Sequence, residues 1–218
     1  MARVRQDLRR GSPVAAAVYD AGYGSLSRYY EQARRMSGLT PAQYRRGGAG
    51  LEIGFAQRLS PFGWLTLAAT DCGVCFVHFD DAAGRGEAVL RAEFPQAQID
   101  RSLAEQAPSL SAWCGALVLH LEQRGPRPEL PLQLFGTALQ IRTWRFLAGL
   151  DCDGSTLSYS ELAAAVDAPR AVRAVANACA ANRIAVLVPC HRVLRADGGS
   201  GGYRWGLERK LALLEAGR

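Results

Sequence analysis

Apolar and polar positions change their period along the chain. Residues 1–46 have helical spacing interrupted by glycine, which predicts helices joined by a turn, the second of them basic. A glycine-rich stretch over 47–50 follows, and we interpret it as a linker. Three alternating runs, 51–55, 64–68 and 74–79, then predict β-strands separated by short turns.

The remaining chain is predicted to be mainly helical. Two helices and a short strand are expected before residue 135, at 84–94, 101–123 and Leu132–Leu134. Thr137 and Ser158 are each followed three residues later by Gln or Glu, a capping-box pattern that predicts two further helix starts. Pro169 predicts a third, alanine-rich helix from Arg170 to about Ala181. The predicted fold class is therefore α/β.

Charge is distributed unevenly along the chain. Residues 1–50 carry nine basic and three acidic side chains, a net charge of +6, and residues 170–218 have the same balance. Residues 51–169 carry eight basic and fourteen acidic side chains, a net charge of −6. Two basic ends would suit a polyanion such as DNA, although basic side chains that only solvate the surface would give the same totals.

Composition and cysteine usage indicate the class of protein and the compartment in which it works. The chain is 49% hydrophobic and 21% charged, enough for an ordinary core. It has no apolar run of membrane-spanning length and no apparent signal peptide, so we expect a cytoplasmic monomer with no membrane partner. The six cysteines should then be reduced. Cys72, Cys75 and His78 fall short of a four-ligand zinc pattern, so we predict neither a metal nor a cofactor.

Cys190 is the first candidate for chemistry. It lies in Pro189-Cys190-His191-Arg192, directly after the apolar run 184–188, which we expect to be buried. A thiol beside an imidazole and an arginine can have a lowered pKa, and the thiolate is the nucleophile. On these four residues alone, a buried structural cysteine with a polar neighbour is an equal alternative.

Several motifs around Cys190 occur together in one known family. They are Gly136-Thr137-Ala138, Ser158-Tyr159-Ser160-Glu161-Leu162-Ala163, Pro169-Arg170-Ala171-Val172-Arg173-Ala174-Val175, Asn182, Pro189-Cys190-His191-Arg192-Val193 and Gly202-Tyr203-Arg204-Trp205-Gly206-Leu207. With these motifs, residues 51–218 resemble the O6-alkylguanine-DNA alkyltransferases, also called methylated-DNA–protein-cysteine methyltransferases. Residues 21–46 resemble the second helix-turn-helix of AraC-type regulators, so the whole chain is similar to the C-terminal portion of Ada-type proteins.

The resemblance implies a domain organisation. Residues 1–46 would be an AraC-type helix-turn-helix module and 47–50 a linker. Residues 51–135 would form the N-terminal α/β subdomain of the alkyltransferase. Residues 136–218 would form a helical, winged-helix-like domain that binds DNA and contains the active site.

The resemblance also implies a role for each site residue. Cys190 would accept the alkyl group, His191 would act as general base through a water, Tyr159 would protonate N3 of the guanine and help to rotate the nucleotide, and Asn182 would order the recognition helix and the active-site turn. The partner would be double-stranded DNA containing O6-alkylguanine, with O4-alkylthymine left open. Arg173 would fill the space of the flipped base. The other expected DNA contacts are Thr137, Ala174, Arg192, Tyr203 and Arg204, and Arg28, Arg34 and Arg35 in the first module.

One position departs from the family pattern. The family uses a cysteine–histidine–glutamate relay, and Gly217 stands where that glutamate is expected. Glu215 lies on the wrong helix face, and the terminal carboxylate of Arg218 is another candidate. A slow transferase, or a DNA-binding regulator or lesion sensor without transfer activity, is therefore an alternative; the family's non-catalytic sensors lack the cysteine that Cys190 retains. A Cys–His hydrolase is disfavoured because His191 is adjacent in sequence to Cys190.

Overall fold

The computed structural model describes residues 47–101, 108–123, 127–150 and 154–217. Within these ranges the fold contains a four-stranded sheet, a two-stranded sheet and six α-helices. The predicted α/β class is confirmed. The predicted helix-turn-helix over 1–46, with Arg28, Arg34 and Arg35, lies outside the described residues.

The larger sheet forms early in the described chain. Its strands are β1 (Glu52–Ser60), β2 (Gly63–Thr70), β3 (Gly73–Asp80) and β4 (Gln98–Asp100), in the order β3-β2-β1-β4. β1, β2 and β3 pair antiparallel, whereas β4 pairs parallel to β1. The three predicted strands are confirmed, and β2 and β3 are buried on both faces along most of their length because the core packs against both sides of the sheet.

The six helices are separated by short connections. They are α1 (Arg85–Glu93), α2 (Pro108–Gln123), α3 (Ala138–Ala148), α4 (Tyr159–Ala165), α5 (Val172–Ala180) and α6 (Leu207–Ala216). Both predicted capping boxes are present, at the starts of α3 and α4. The alanine-rich helix α5 begins at Val172, so the predicted start at Arg170 was wrong: Pro169 and Arg170 form a turn instead.

The outer edge of β3 receives two segments from the second half of the chain. The amide of Val77 donates to the Arg183 carbonyl at 2.9 Å, and the Ala185 amide donates to the Val77 carbonyl at 3.1 Å. Further along the edge, Leu132 forms a single bridge with Val74. The predicted strand over Leu132–Leu134 is therefore only one bridge residue. The edge bonds attach the segment that leads to Cys190 to the sheet.

The core is continuous across the two predicted subdomains. Leu65 and Leu67 of β2 belong to the same buried cluster as Val175 of α5 and Cys190. A second cluster, which includes Phe55 of β1, fills the other side of the sheet. The cysteine is thus held by the same packing that holds the sheet.

None of the described helices combines the length and the apolar character needed to cross a membrane.

Candidate active site

Cys190 begins a short turn at the end of a buried, tightly bent segment. The turn of 3-10 helix covers Cys190–Arg192, and β6 (Val193–Leu194) follows it and pairs with β5 (Leu157–Ser158). Within the bend, the Cys190 amide donates to the Val188 carbonyl at 2.8 Å. Val186 has a φ of 66°, an unfavourable value for a β-branched residue. The run 184–188 is buried as predicted, but it forms this bend.

Asn182 connects the end of α5 to the bend. Its side-chain amide donates to the Val188 carbonyl at 2.9 Å and to Sγ of Cys190 at 3.1 Å. Its side-chain oxygen accepts from the Ile184 amide at 2.9 Å. Asn182 is buried, so these bonds form away from water and fix the bend. This arrangement supports the positioning role that was predicted for Asn182.

The cysteine and its neighbouring histidine are both uncharged at neutral pH. Burial raises the pKa of Cys190 to about 11, although the Asn182 hydrogen bond and the Lys210 ammonium lower it. Burial and nearby cations lower the pKa of His191 to about 3. The expectation that its neighbours give Cys190 a lowered pKa was wrong, because Cys190 is only 5% exposed and burial outweighs them. The resting pair is a protonated thiol and a neutral imidazole.

Nδ1 of His191 is buried and has no hydrogen-bond partner among the described residues. Gly217, which stands where the relay glutamate is expected, ends α6: its amide donates to the Leu213 carbonyl at 3.2 Å. Glu215 is exposed, and Arg218 lies outside the described residues. Within the described part of the chain, a carboxylate therefore does not orient His191.

Lys210 is a functional candidate that the sequence reasoning missed. It is 0% exposed, and its ammonium donates to the Val193 carbonyl at 2.8 Å and to the Ser200 carbonyl. It lowers the pKa of Cys190, so it stabilises a thiolate there. A signal existed in the sequence, because Lys210 lies three residues before the buried Leu213 on one helix face.

Two tyrosines lie close to the thiol. The rings of Tyr203 and His191 meet edge to face, with centroids 6.3 Å apart. The hydroxyl of Tyr203 is buried, and the pKa of Tyr203 is raised by burial and by Cys190. Tyr159 is half-buried at the start of α4, and its pKa is also raised by burial, with Cys179 and Cys190 contributing. Both predicted tyrosines are thus within electrostatic reach of Cys190.

The predicted DNA contacts divide into surface and interior positions. Arg173 and Ala174 are exposed on α5, and Thr137 is exposed at the start of α3, where its side chain caps the helix. Arg192 is different: it is 7% exposed, and its guanidinium donates to the Ser155 carbonyl at 2.6 Å and to the Ser155 hydroxyl at 2.7 Å. This placement does not suit the predicted DNA contact, so we assign Arg192 to holding the turn after Cys190 against the β5 region.

Cysteine, histidine and carboxylate side chains are also candidate metal ligands. Across the described ranges, no group of three or more His, Cys, Asp or Glu side chains is arranged to hold a metal ion. Cys75 is buried in the second core cluster, and its thiol donates to the Ala68 carbonyl at 3.6 Å. Cys72 lies in the turn before β3, where its thiol donates to the Asp71 carboxylate. Neither thiol is part of a disulfide.

Comparison with known proteins identifies the family to which the chain belongs. The family described as the DNA-binding domain of 6-O-methylguanine DNA methyltransferase matches residues 138–218, which contain the whole candidate site. A curated methylated-DNA–protein-cysteine methyltransferase of Mycobacterium bovis is 36% identical over 72% of this chain and 87% of its own length. The chain belongs to the methylated-DNA–protein-cysteine methyltransferase family.

Two further relatives refine the comparison. The regulatory protein ada of Salmonella typhimurium is 38% identical over 98% of this chain, and the match spans 59% of that protein's length. A crystal structure of Mycobacterium tuberculosis OGT in complex with DNA has a TM-score of 0.60 and 31% identity, covering 77% of this chain and 92% of the other. The Ada-like resemblance that was predicted is confirmed.

Proposed function

We propose that the protein repairs alkylated DNA by moving an alkyl group from O6 of guanine to Sγ of Cys190, once per molecule. The observation that carries the proposal is a buried thiol, held by Asn182 at 3.1 Å, directly beside a neutral imidazole. The names of the relatives support the same reaction: the Mycobacterium bovis relative is a methyltransferase that acts between methylated DNA and a protein cysteine.

The proposed step balances with the groups at hand. Sγ attacks the alkyl carbon, a carbon–sulfur bond forms, and the bond between that carbon and O6 breaks. The electron pair goes to the guanine, which takes a proton at N3 from Tyr159. The thiol proton goes to His191, which can accept it because its imidazole is neutral at rest. The product is a stable thioether, so each molecule reacts once.

The buried position of the thiol supports base flipping as a part of this proposal. The alkyl carbon is inside the duplex and Cys190 is only 5% exposed, so we expect the nucleotide to leave the stack to reach the thiol. Unstacking costs a few kcal/mol, and an inserted side chain offsets part of that cost. The long cationic side chain of Arg173, exposed on α5, suits this insertion. Ala174, next to Arg173 on α5, and Thr137, at the start of α3, are also exposed and suit contacts with the DNA backbone.

A DNA-binding regulator or lesion sensor that transfers slowly is the second candidate. One observation favours it: Nδ1 of His191 has no hydrogen-bond partner among the described residues, so within that part of the chain no carboxylate stabilises the imidazolium formed during transfer. The protonated state of Cys190 at neutral pH adds to this barrier. The predicted DNA-reading role of residues 1–46, the monomeric state and the cytoplasmic location stay predictions.

Transfer of a labelled methyl group from O6-methylguanine duplex DNA tests the proposal. We expect up to one equivalent of label on the protein and none on the Cys190→Ala variant. Cys179→Ala is the matched control, because Cys179 is another buried thiol close to Cys190, and it should still be labelled. Tight binding to lesion DNA without label would favour the sensor. If the protein acquires no label and does not bind lesion DNA, both functions are excluded.

A further inference from the structure

Glu93, the last residue of α1, receives two arginines from the second half of the chain. The side chain of Arg183 donates to one oxygen of the Glu93 carboxylate. The side chain of Arg204 donates to the other oxygen at 3.2 Å. The three side chains are 17%, 17% and 27% exposed, respectively for Glu93, Arg183 and Arg204, so water screens this pairing less than it screens a surface ion pair.

The two arginines come from the two segments that enclose the thiol. Arg183 directly follows Asn182, whose side chain holds Sγ of Cys190. Arg204 directly follows Tyr203, whose ring meets His191. Arg204 also donates to the Asn182 carbonyl at 3.4 Å, so the two segments meet at Glu93. The Glu93 carboxylate, from the first half of the chain, thus connects the Asn182–Arg183 segment to the Tyr203–Arg204 segment.

The two segments do not depend on Glu93 equally. The segment of Arg183 is also fixed by its backbone bonds to Val77 of β3 and by a bond from Arg183 to the Phe135 carbonyl at 3.2 Å. The loop of Tyr203 and Arg204 has side-chain anchors instead: Arg204 on Glu93, and Trp205, whose indole donates to His78 at 2.9 Å. Loss of the carboxylate would also leave two guanidinium groups close together without their shared counter-ion. We expect the loop to move more than the thiol.

We infer that Glu93 is a positioning residue for alkyl transfer, which acts by fixing the Tyr203–Arg204 loop against the flipped base. The inference rests on the proposed function. A positioning error at a reacting centre lowers the rate of the bound complex, whereas DNA affinity is set mainly by phosphate contacts elsewhere. Asn182 and Lys210, which lower the pKa of Cys190 more than Arg204 does, stay in place, so the pH dependence of transfer should shift only by the smaller Arg204 contribution.

Single-turnover transfer by the full chain, with the concentration of O6-methylguanine duplex varied, tests the inference. For Glu93→Gln we expect the rate at saturating DNA to fall about tenfold, with the DNA concentration at half-saturation within about twofold of the wild-type value. Glu87→Gln is the matched control: it removes a carboxylate from the same helix, where Glu87 pairs only with the nearby Arg91 in the described contacts, and it should transfer at the wild-type rate.

A double-mutant cycle with Arg204→Gln separates positioning from general stability. If Glu93 acts through Arg204, the double variant should be about as slow as the slower single variant, so the effects do not multiply. Glu93→Asp, which keeps the charge, should recover part of the rate. Effects that multiply, or a lowered melting temperature with a wild-type rate, would overturn the inference. Absence of transfer by the wild type would overturn the proposed function itself, and this inference with it.

Discussion

Replacement of Asn182 by alanine should damage both the fold and the reactivity of the thiol. The substitution removes the acceptor of the Ile184 amide and the donor to the Val188 carbonyl, both buried. A buried donor left without a partner costs about 1–3 kcal/mol, the lost bond to the carbonyl about 1 kcal/mol, and the space left by the amide about 1 kcal/mol more. We therefore expect the free energy of unfolding to fall by about 3–5 kcal/mol.

The same substitution should raise the pKa of Cys190 above its value of about 11, because the Asn182 hydrogen bond is the largest contribution that lowers it. Transfer at neutral pH should then be slower in the fraction that remains folded. Asn182→Asp provides a useful contrast: it keeps the acceptor for the Ile184 amide but buries a carboxylate against the Val188 carbonyl and the thiol, so it should be at least as destabilised as the alanine variant and transfer even more slowly.

Urea unfolding measures the change in the free energy of unfolding. Ultraviolet titration of the thiolate, after subtraction of the same titration of the Cys190→Ser variant, measures the pKa of Cys190. Asn177→Ala is the matched control, since Asn177 is an exposed asparagine on α5, and it should change stability by less than about 0.5 kcal/mol. A loss of stability below about 1 kcal/mol for Asn182→Ala would refute the reasoning, because it would mean that the bend does not depend on these bonds.

Three further predictions concern His191, Gly217 and Lys210. The pKa of His191 in the folded protein, about 3, lies below its ordinary value of 6.5. The free energy of unfolding should therefore fall as the pH drops from 6.5 towards 3, by about 2 kcal/mol at pH 5. The His191→Gln variant should lack this pH-dependent loss of stability. Gly217→Glu should raise the transfer rate by about tenfold relative to Gly217→Gln, because a carboxylate near an imidazolium stabilises it; equal rates for the two variants would contradict this. Lys210→Met should raise the pKa of Cys190 and slow transfer, measured across pH, since the Lys210 ammonium lowers that pKa; an unchanged pH profile would count against it.

The features predicted correctly from the sequence are those decided by nearby residues. A capping box at Ser158 is complete within four positions, and the structure contains both of its reciprocal bonds, with Glu161. Strands β1 to β3 were predicted from short apolar stretches between turn residues, a local signal that holds although β2 and β3 are buried on both faces. The helix start predicted directly after Pro169 was wrong, because Pro169 and Arg170 form a turn and α5 begins at Val172.

The features that were missed depend on contacts between distant parts of the chain. β3 is the outer strand of the sheet, and nothing local indicates that residues 183–185 complete its edge. Arg192 is of a residue type that often contacts DNA, but its guanidinium lies in the interior, where it donates to the hydroxyl of Ser155, 37 positions earlier. The pKa of Cys190 was expected to fall because its sequence neighbours are polar, but burial by the whole core decides the direction.

The resting charges of the site are consistent with a nucleophile that is used once. A thiol with a pKa near 11 beside an imidazole with a pKa near 3 holds its proton, so Cys190 is poorly reactive towards reagents that reach it from solution. Transfer of that proton to His191 is unfavourable in the free protein, and the bound lesion has to supply the compensation. On the proposed function, the alkylated base does so, because protonation at N3 removes the charge of the departing guanine. Among the described residues Nδ1 of His191 has no hydrogen-bond partner, and on the proposed function we expect a carboxylate introduced at Gly217 to stabilise the imidazolium and raise the transfer rate.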